Sequence, residues 1–191
     1  NNRYGPNEKN VYKEDAFARF FMGILYEAQK SREGYNDAYI SYSRALEIYR
    51  DDYAKNYNTP VPSLLKENLF AAAEFMEKGA KKAQKAEVYL MQYNGLLPLK
   101  TETAIPVPLP DGYMVSLAFP QYKKRESLIQ GSRLQAKNNQ GAVFEAETEL
   151  AEDISAIAIK NLENRKARVI AKAVAVASAK YFNEKKIERK V

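Results

Sequence analysis

The chain has 191 residues, of which 46% are hydrophobic and 28% charged, the balance of an ordinary globular protein. It contains no Cys, His or Trp, which excludes thiolate and imidazole metal sites, Cys nucleophiles, Ser-His-Asp triads and histidine general bases. The formal charge of +6 is unevenly placed: residues 160–191 hold ten Lys/Arg against three Asp/Glu, a net of +7, and residues 1–159 hold twenty against twenty-one, a net of −1.

The chain opens on Asn1-Asn2-Arg3-Tyr4-Gly5-Pro6-Asn7, polar and without Met, the pattern expected of a trimmed or mature chain whose targeting segment lies outside it. No apolar run approaches the roughly 18 residues that span a bilayer. Over residues 11–29, Phe17, Phe20, Phe21, Ile24, Leu25 and Ala28 recur at i, i+3, i+4, which predicts an amphipathic helix with that stripe inward. Gly23 lies inside it and costs about 1 kcal/mol against Ala, so a close neighbour is expected there. A polar turn at residues 30–34 leads to a second helix, about 36–55, capped by Asn36 or Asp37. Its stripe of Tyr35, Tyr39, Tyr42, Leu46, Tyr49 and Tyr53 is spaced 4-3-4-3-4, with Ala38, Ala45 and Ile48 on its flank.

Gly23 with Tyr26, and Ala38 with Tyr42 and Ala45, resemble the signature positions of one tetratricopeptide repeat, with a turn about three residues longer than usual. Asn58-Thr59-Pro60-Val61-Pro62 then breaks the chain. Ser63 caps a third expected helix, 64–85, with Leu65, Phe70, Ala73 and Met76 or Ala80 inward. No fourth helix follows, so a solenoid of three or more repeats is excluded.

At Glu87 the period changes from 3.6 to about 2. Residues 87–93 read as a strand ended by Asn94-Gly95. Four of the eight prolines fall within residues 98–110, so that stretch is an edge strand or a polyproline-like crossover. Residues 113–119 form a strand closed by Pro120. Residues 127–136 and 142–148 form two more around a polar hairpin loop. Helices are expected at 150–162 and 164–186.

The fold class is therefore α+β: a tetratricopeptide-like hairpin plus third helix over 11–86, then a small, mainly antiparallel sheet of four or five strands with C-terminal helices over 87–191.

Three groups of residues invite a functional reading. The tyrosines Tyr35, Tyr39, Tyr42, Tyr49 and Tyr53 are either a partner-binding aromatic platform, or a helix face with Tyr42 and Tyr49 in the core and Tyr39 and Tyr53 on the flank with wet hydroxyls. Glu145, Glu147 and Glu149 alternate on one strand, as paired carboxylates for acid–base work or as the solvent face of a half-buried strand. Lys166, Arg168, Lys172, Lys180, Lys185 and Lys186 give the last helix its charge, for contact with nucleic acid or an anionic surface, or as a solvated face. Lys123-Lys124-Arg125 is either a contact for phosphate or a glycan acid or a solvated loop.

The stretches Asp15-Ala16-Phe17-Ala18-Arg19-Phe20, Gly23-Ile24-Leu25-Tyr26-Glu27-Ala28, Tyr35-Asn36-Asp37-Ala38-Tyr39-Ile40, Asn94-Gly95-Leu96-Leu97-Pro98-Leu99-Lys100 and Glu152-Asp153-Ile154-Ser155-Ala156-Ile157-Ala158 together resemble a family of bacterial cell-envelope lipoproteins. The resemblance implies a periplasmic protein, anchored to the outer membrane through an N-terminal lipidated Cys. It also implies an accessory role in peptidoglycan synthesis or envelope assembly. It brings no catalytic residues. The expected function is accordingly a non-enzymatic interaction scaffold with another envelope protein as partner and no cofactor or metal. The alternative is a nucleic-acid or anionic-surface binder using the basic helix. Against nucleic acid stands that helix's shortage of exposed aromatics on which bases could stack.

Overall fold

A computed structural model of the chain describes residues 14–78, 87–108, 112 and 114–188, with the side chains of 115, 180 and 183–188 outside the description. The chain falls into two compact units, each discontinuous in sequence. One comprises residues up to 92 together with 131–153, and the other comprises 93–130 together with 154 onward. The sequence reading places one linear boundary near residue 86 instead. The α+β class holds, with helices and antiparallel strands in the same chain.

In the first unit, α1 (Ala16–Glu27) starts where the Asp15 carboxylate accepts from the Ala18 N–H at 2.9 Å. This satisfies one of the orphan donors of the first turn. Helix α2 (Arg32–Ile48) starts earlier than expected, because Ser31 is its cap and accepts from the Gly34 N–H at 2.9 Å. Asn36 and Asp37 lie inside the helix and are exposed. Gly34 cannot be replaced cheaply, since a Cβ there would sit 2.6 Å from the Tyr26 carbonyl oxygen.

The predicted inward stripe of α1 is displaced. The buried residues are Ala16, Phe20, Gly23 and Glu27, spaced 4-3-4. Phe17, Phe21 and Ile24 are only half-buried, and Leu25 and Ala28 are exposed. On α2 the buried set is Gly34, Tyr35, Ala38, Ser41, Tyr42, Ala45 and Ile48. The alanines let the two helices approach, and the expected neighbour of Gly23 is Tyr42, whose Cε1 lies 2.3 Å from the position a Cβ would take.

Helix α2 ends in a turn of π-helix, Tyr49–Tyr53, in which the Ala54 N–H reaches the Tyr49 carbonyl, and α3 (Ala54–Asn56) adds a last half-turn. The extra residue per turn rotates the end of the helix relative to α2, and Tyr49, Asp52 and Tyr53 are all buried. Asn58 in the left-handed region (φ 53°), then Pro60 and Pro62, stop the helix.

Helix α4 (Ser63–Lys78) packs on α2. Its buried residues are Leu65, Asn68 and Ala72, which corrects the expected face. Phe70 is 66% exposed, and Ala73 and Met76 are half-buried. Leu65 is fully buried, a contribution of roughly 2 kcal/mol. Ala80 lies outside the described residues, as do Val11, Asp111 and Tyr113.

The rest of the first unit is a hairpin of β3 (Arg133–Lys137) and β4 (Val143–Glu147), paired antiparallel from Arg133↔Glu147 to Lys137↔Val143. Its loop is the expected one, held by Asn138, whose Oδ1 accepts from the Gln140 and Ala142 N–H groups, with Gly141 at φ 85°. The strand expected from 127 begins only at Arg133.

In the second unit, β1 (Leu99–Pro108) pairs antiparallel with β2 (Met114–Lys123), from Leu99↔Lys123 to Pro108↔Met114. Pro120 does not close β2. A two-stranded sheet has only edge strands, so Pro106, Pro108 and Pro120 need not break a central ladder. Leu117 and Phe119 alternate onto one buried face, and α5 packs against β2. The α5 helix (Ile154–Glu188) is one helix of 35 residues, about 52 Å long, where two were expected. Asn164 does not interrupt it. Residues 87–98 carry no strand, so the four strands form two separate hairpins rather than one sheet. Among the described residues, no helix is long and apolar enough to cross a membrane.

Candidate functional site

The structure brings the tyrosines of α2 together, but as a seam inside the first unit. Tyr35, Tyr42, Tyr49 and Tyr53 are between 0% and 5% exposed, and Tyr39 alone of the five reaches solvent, at 41%. Tyr42 and Tyr49 lie in the core and Tyr39 on the flank, as one of the two readings expects, but Tyr53, expected on the flank with a wet hydroxyl, is buried, because the π turn carries it inside and Glu152 and the Ala16 N–H satisfy its hydroxyl. With residues 149–153 in place, the rings of Tyr35, Tyr42, Tyr49 and Tyr53 are closed to solvent. Tyr35 stacks on Phe75 of α4 with centroids 3.7 Å apart, and Phe20 meets Tyr42 edge-on at 6.0 Å. Tyr49, Tyr53 and Tyr57 form an edge-to-face series at 5.1 and 5.2 Å.

Each buried hydroxyl of the series has a partner, as a desolvated phenol requires. Tyr42 donates to Glu27 Oε2 at 2.8 Å, and Asn68 Nδ2 donates to the Tyr42 oxygen at 3.5 Å. Tyr49 donates to the Ala151 carbonyl at 2.8 Å. Tyr53 donates to Glu152 Oε1 at 3.2 Å and accepts from the Ala16 N–H at 3.4 Å. Burial first, and then the charges of Glu27 on Tyr42 and of Asp15 and Glu152 on Tyr53, push these phenols far above their ordinary range. Tyr49 is raised by burial and by Tyr53 and Glu152. All three therefore stay protonated at any working pH, as fixed hydrogen-bond donors rather than proton carriers.

Nothing in the sequence marks segment 149–153 as a contact of the helices. It leaves β4 without regular structure and is tied to the helical bundle at three points. Glu149 accepts from the backbone N–H and the hydroxyl of Ser63 at the start of α4, where a carboxylate also complements the helix dipole. Ala151 and Glu152 supply the acceptors for Tyr49 and Tyr53. Burial, reinforced by the Asp15 charge and partly offset by the Tyr53 hydrogen bond, holds the Glu152 carboxyl above the usual carboxylate range.

The three alternating glutamates do not converge. All are exposed. Glu145 accepts from Gln135 at 2.8 Å, Glu147 pairs with Arg133 at 2.7 Å, and Glu149 turns away to Ser63. On α5, Lys166, Arg168 and Lys172 are exposed, with Arg168 and Lys172 four apart on one face. The side chains of Lys180, Lys185 and Lys186 lie outside the described residues. Arg125 donates to the Leu97 carbonyl at 2.8 Å, so the basic loop is partly structural. Among the described residues no group of His, Cys, Asp or Glu could hold a metal ion.

The surface left open by the hairpin is the flank of α1. Phe17 and Phe21 stack at 6.4 Å while only half-buried, and Met22 and Leu25 are exposed beside them. The signal for this was present in the sequence: α1 carries more apolar positions than one packing face needs. Compared with known proteins, the chain matches no family model, no curated protein and no solved structure.

Proposed function

We propose that the chain is a non-enzymatic scaffold protein of the bacterial cell envelope, accessory to peptidoglycan synthesis or envelope assembly, and that its helical hairpin docks another envelope protein. The observation that carries the scaffold reading is the open apolar flank of α1, Phe17, Phe21, Met22 and Leu25, next to a packed α1–α2 seam. Contiguous exposed apolar side chains on a helix face are the usual mark of a docking surface. Tyr39 and Ile40, exposed on α2, offer a second contact. The periplasmic location, with an outer-membrane lipid anchor in the full-length form, is supported by the sequence resemblance alone. A lipobox Cys in the precursor tests it. The scaffold reading is tested by pull-down from envelope extracts with the wild type and a Phe17→Ser/Phe21→Ser variant of unchanged circular dichroism. The reading requires a partner that the variant loses, and equal recovery by both chains would remove it.

A second reading is favoured by the exposure of Lys166, Arg168 and Lys172 on α5: binding to nucleic acid or an anionic surface. It requires affinity that falls steeply with salt. A flat titration against duplex DNA and anionic vesicles at low salt would dismiss it.

A further inference from the structure

The segment 149–153 is held to the helical bundle by polar anchors and contributes little burial of its own. Glu149 and Leu150 are exposed, and Ala151, Glu152 and Asp153 are half-buried, so none of the five is a core residue. At the other end of two of the anchors lies the core: Tyr49 is fully buried and Tyr53 is 4% exposed. The attachment includes two carboxylates three residues apart and one carbonyl between them, received by Ser63, Tyr49 and Tyr53. The seat therefore reads the pattern Glu-x-Ala-Glu, in a segment without regular structure, through side-chain oxygens and one backbone carbonyl. It asks nothing of the apolar side chain at x, which is Leu150 and points to solvent at 51% exposure.

Such a seat has the features of a peptide site with a tethered ligand. The receiving hydroxyls are fixed as donors, and the first turn of α4 presents an N–H to a carboxylate. The ligand binds through groups that any acidic extended segment carries.

We propose that the Tyr49–Tyr53–Ser63 end of the helical bundle is a binding site for extended acidic segments of a partner protein, which this chain occupies with its own residues 149–153 until a partner segment replaces them. The proposal does not rest on the α1 flank, which is a different surface with its own test.

The experiment uses the full chain and a fluorescein-labelled peptide with the sequence of residues 148–153. Wild type is compared with Glu149→Ala/Glu152→Ala, which weakens the resident segment, and with that variant carrying Tyr49→Phe/Tyr53→Phe in addition. The weakened chain is expected to bind the peptide at least tenfold more tightly than wild type. Removing the two hydroxyls should return affinity to the wild-type level or below. Equal affinity for wild type and the weakened chain, or no binding by a weakened chain whose circular dichroism is unchanged, overturns the proposal. If the weakened chain does not fold, hydrogen exchange on wild type decides. Amides 149–153 exchanging well before those of α2 and α4 support a replaceable segment, and exchange together with the slowest amides of α2 overturns it.

Discussion

Gly23→Ala tests the packing of the seam most sharply, because helix propensity and packing predict opposite signs. In an exposed helix interior the change would stabilise by about 1 kcal/mol. Here the new Cβ would lie 2.3, 2.4 and 2.9 Å from Cε1, Cδ1 and Cζ of Tyr42. Carbon atoms pack at about 3.5–4.0 Å, so the ring or the helix must give by roughly 1 Å. The ring has little room to move: it is fully buried, set edge-on to Phe20 and tied by its hydroxyl to Glu27. Overpacking of this kind costs about 1–3 kcal/mol. Loosening a hydrogen bond to a buried carboxylate adds about 1.5–3 kcal/mol. Set against the propensity gain, the net expectation is destabilisation by about 1.5–5 kcal/mol. Urea unfolding followed by far-ultraviolet circular dichroism measures it as a lowered midpoint at unchanged slope. In a Tyr42→Ala background the same glycine substitution should become stabilising by about 1 kcal/mol, a coupling that a double-mutant cycle reads directly. A Gly23→Ala protein more stable than wild type would refute the account of the α1–α2 contact.

Tyr42→Phe keeps the ring but leaves Glu27 without its phenolic donor, and should cost about 2 kcal/mol in the same urea assay. Asp15→Ala and Ser31→Ala each remove a cap hydrogen bond and should each lower stability by about 1 kcal/mol, whereas Asn36→Ala should change it little. Glu152 binds its proton more readily folded than unfolded, so its contribution to stability is fully present below the ordinary carboxylate pKa and is lost as pH rises through the raised one. Glu152→Gln, which keeps an oxygen for Tyr53, should remove that part of the pH dependence and match or exceed wild-type stability at pH 7 in thermal melts. Arg44→Ala, which breaks the exposed Arg44–Glu14 and Arg44–Glu47 pairs, should leave the urea midpoint close to that of the wild type.

The hairpin was legible in sequence because Gly23, Ala38, Tyr42 and Ala45 recur at spacings that suit a closely packed helix pair. The α+β class was legible from the change of period near Glu87. The inward face of α1 was not, since Glu27 occupies a core position. Composition places a carboxylate outside, and only its 4-3-4 spacing from Ala16, Phe20 and Gly23 pointed the other way. Ser31 does not stand out as a cap because Asn36 and Asp37 are equally good capping types nearer the apolar stripe. The π turn at Tyr49–Tyr53 is invisible to a 3.6-residue template, yet it helps to carry Tyr53 inside. The strand expected over 87–93 has the alternation but no partner strand among the described residues, and alternation alone forms no ladder. Residues 149–153 could not be placed because their attachment joins positions about a hundred residues apart in the chain, Tyr49 to Ala151 and Tyr53 to Glu152.

The central claim is that the tyrosine stripe is an internal seam and that only its outer members face solvent. Nitration of the native chain with tetranitromethane, followed by peptide mapping, tests it most directly, because the reagent needs access to an ionisable phenol. Tyr93, which is 96% exposed, and Tyr39 should be modified first, while Tyr35, Tyr42, Tyr49 and Tyr53 stay unmodified until the protein is unfolded. Modification of Tyr49 and Tyr53 at the rate of Tyr93 in the folded chain would contradict it.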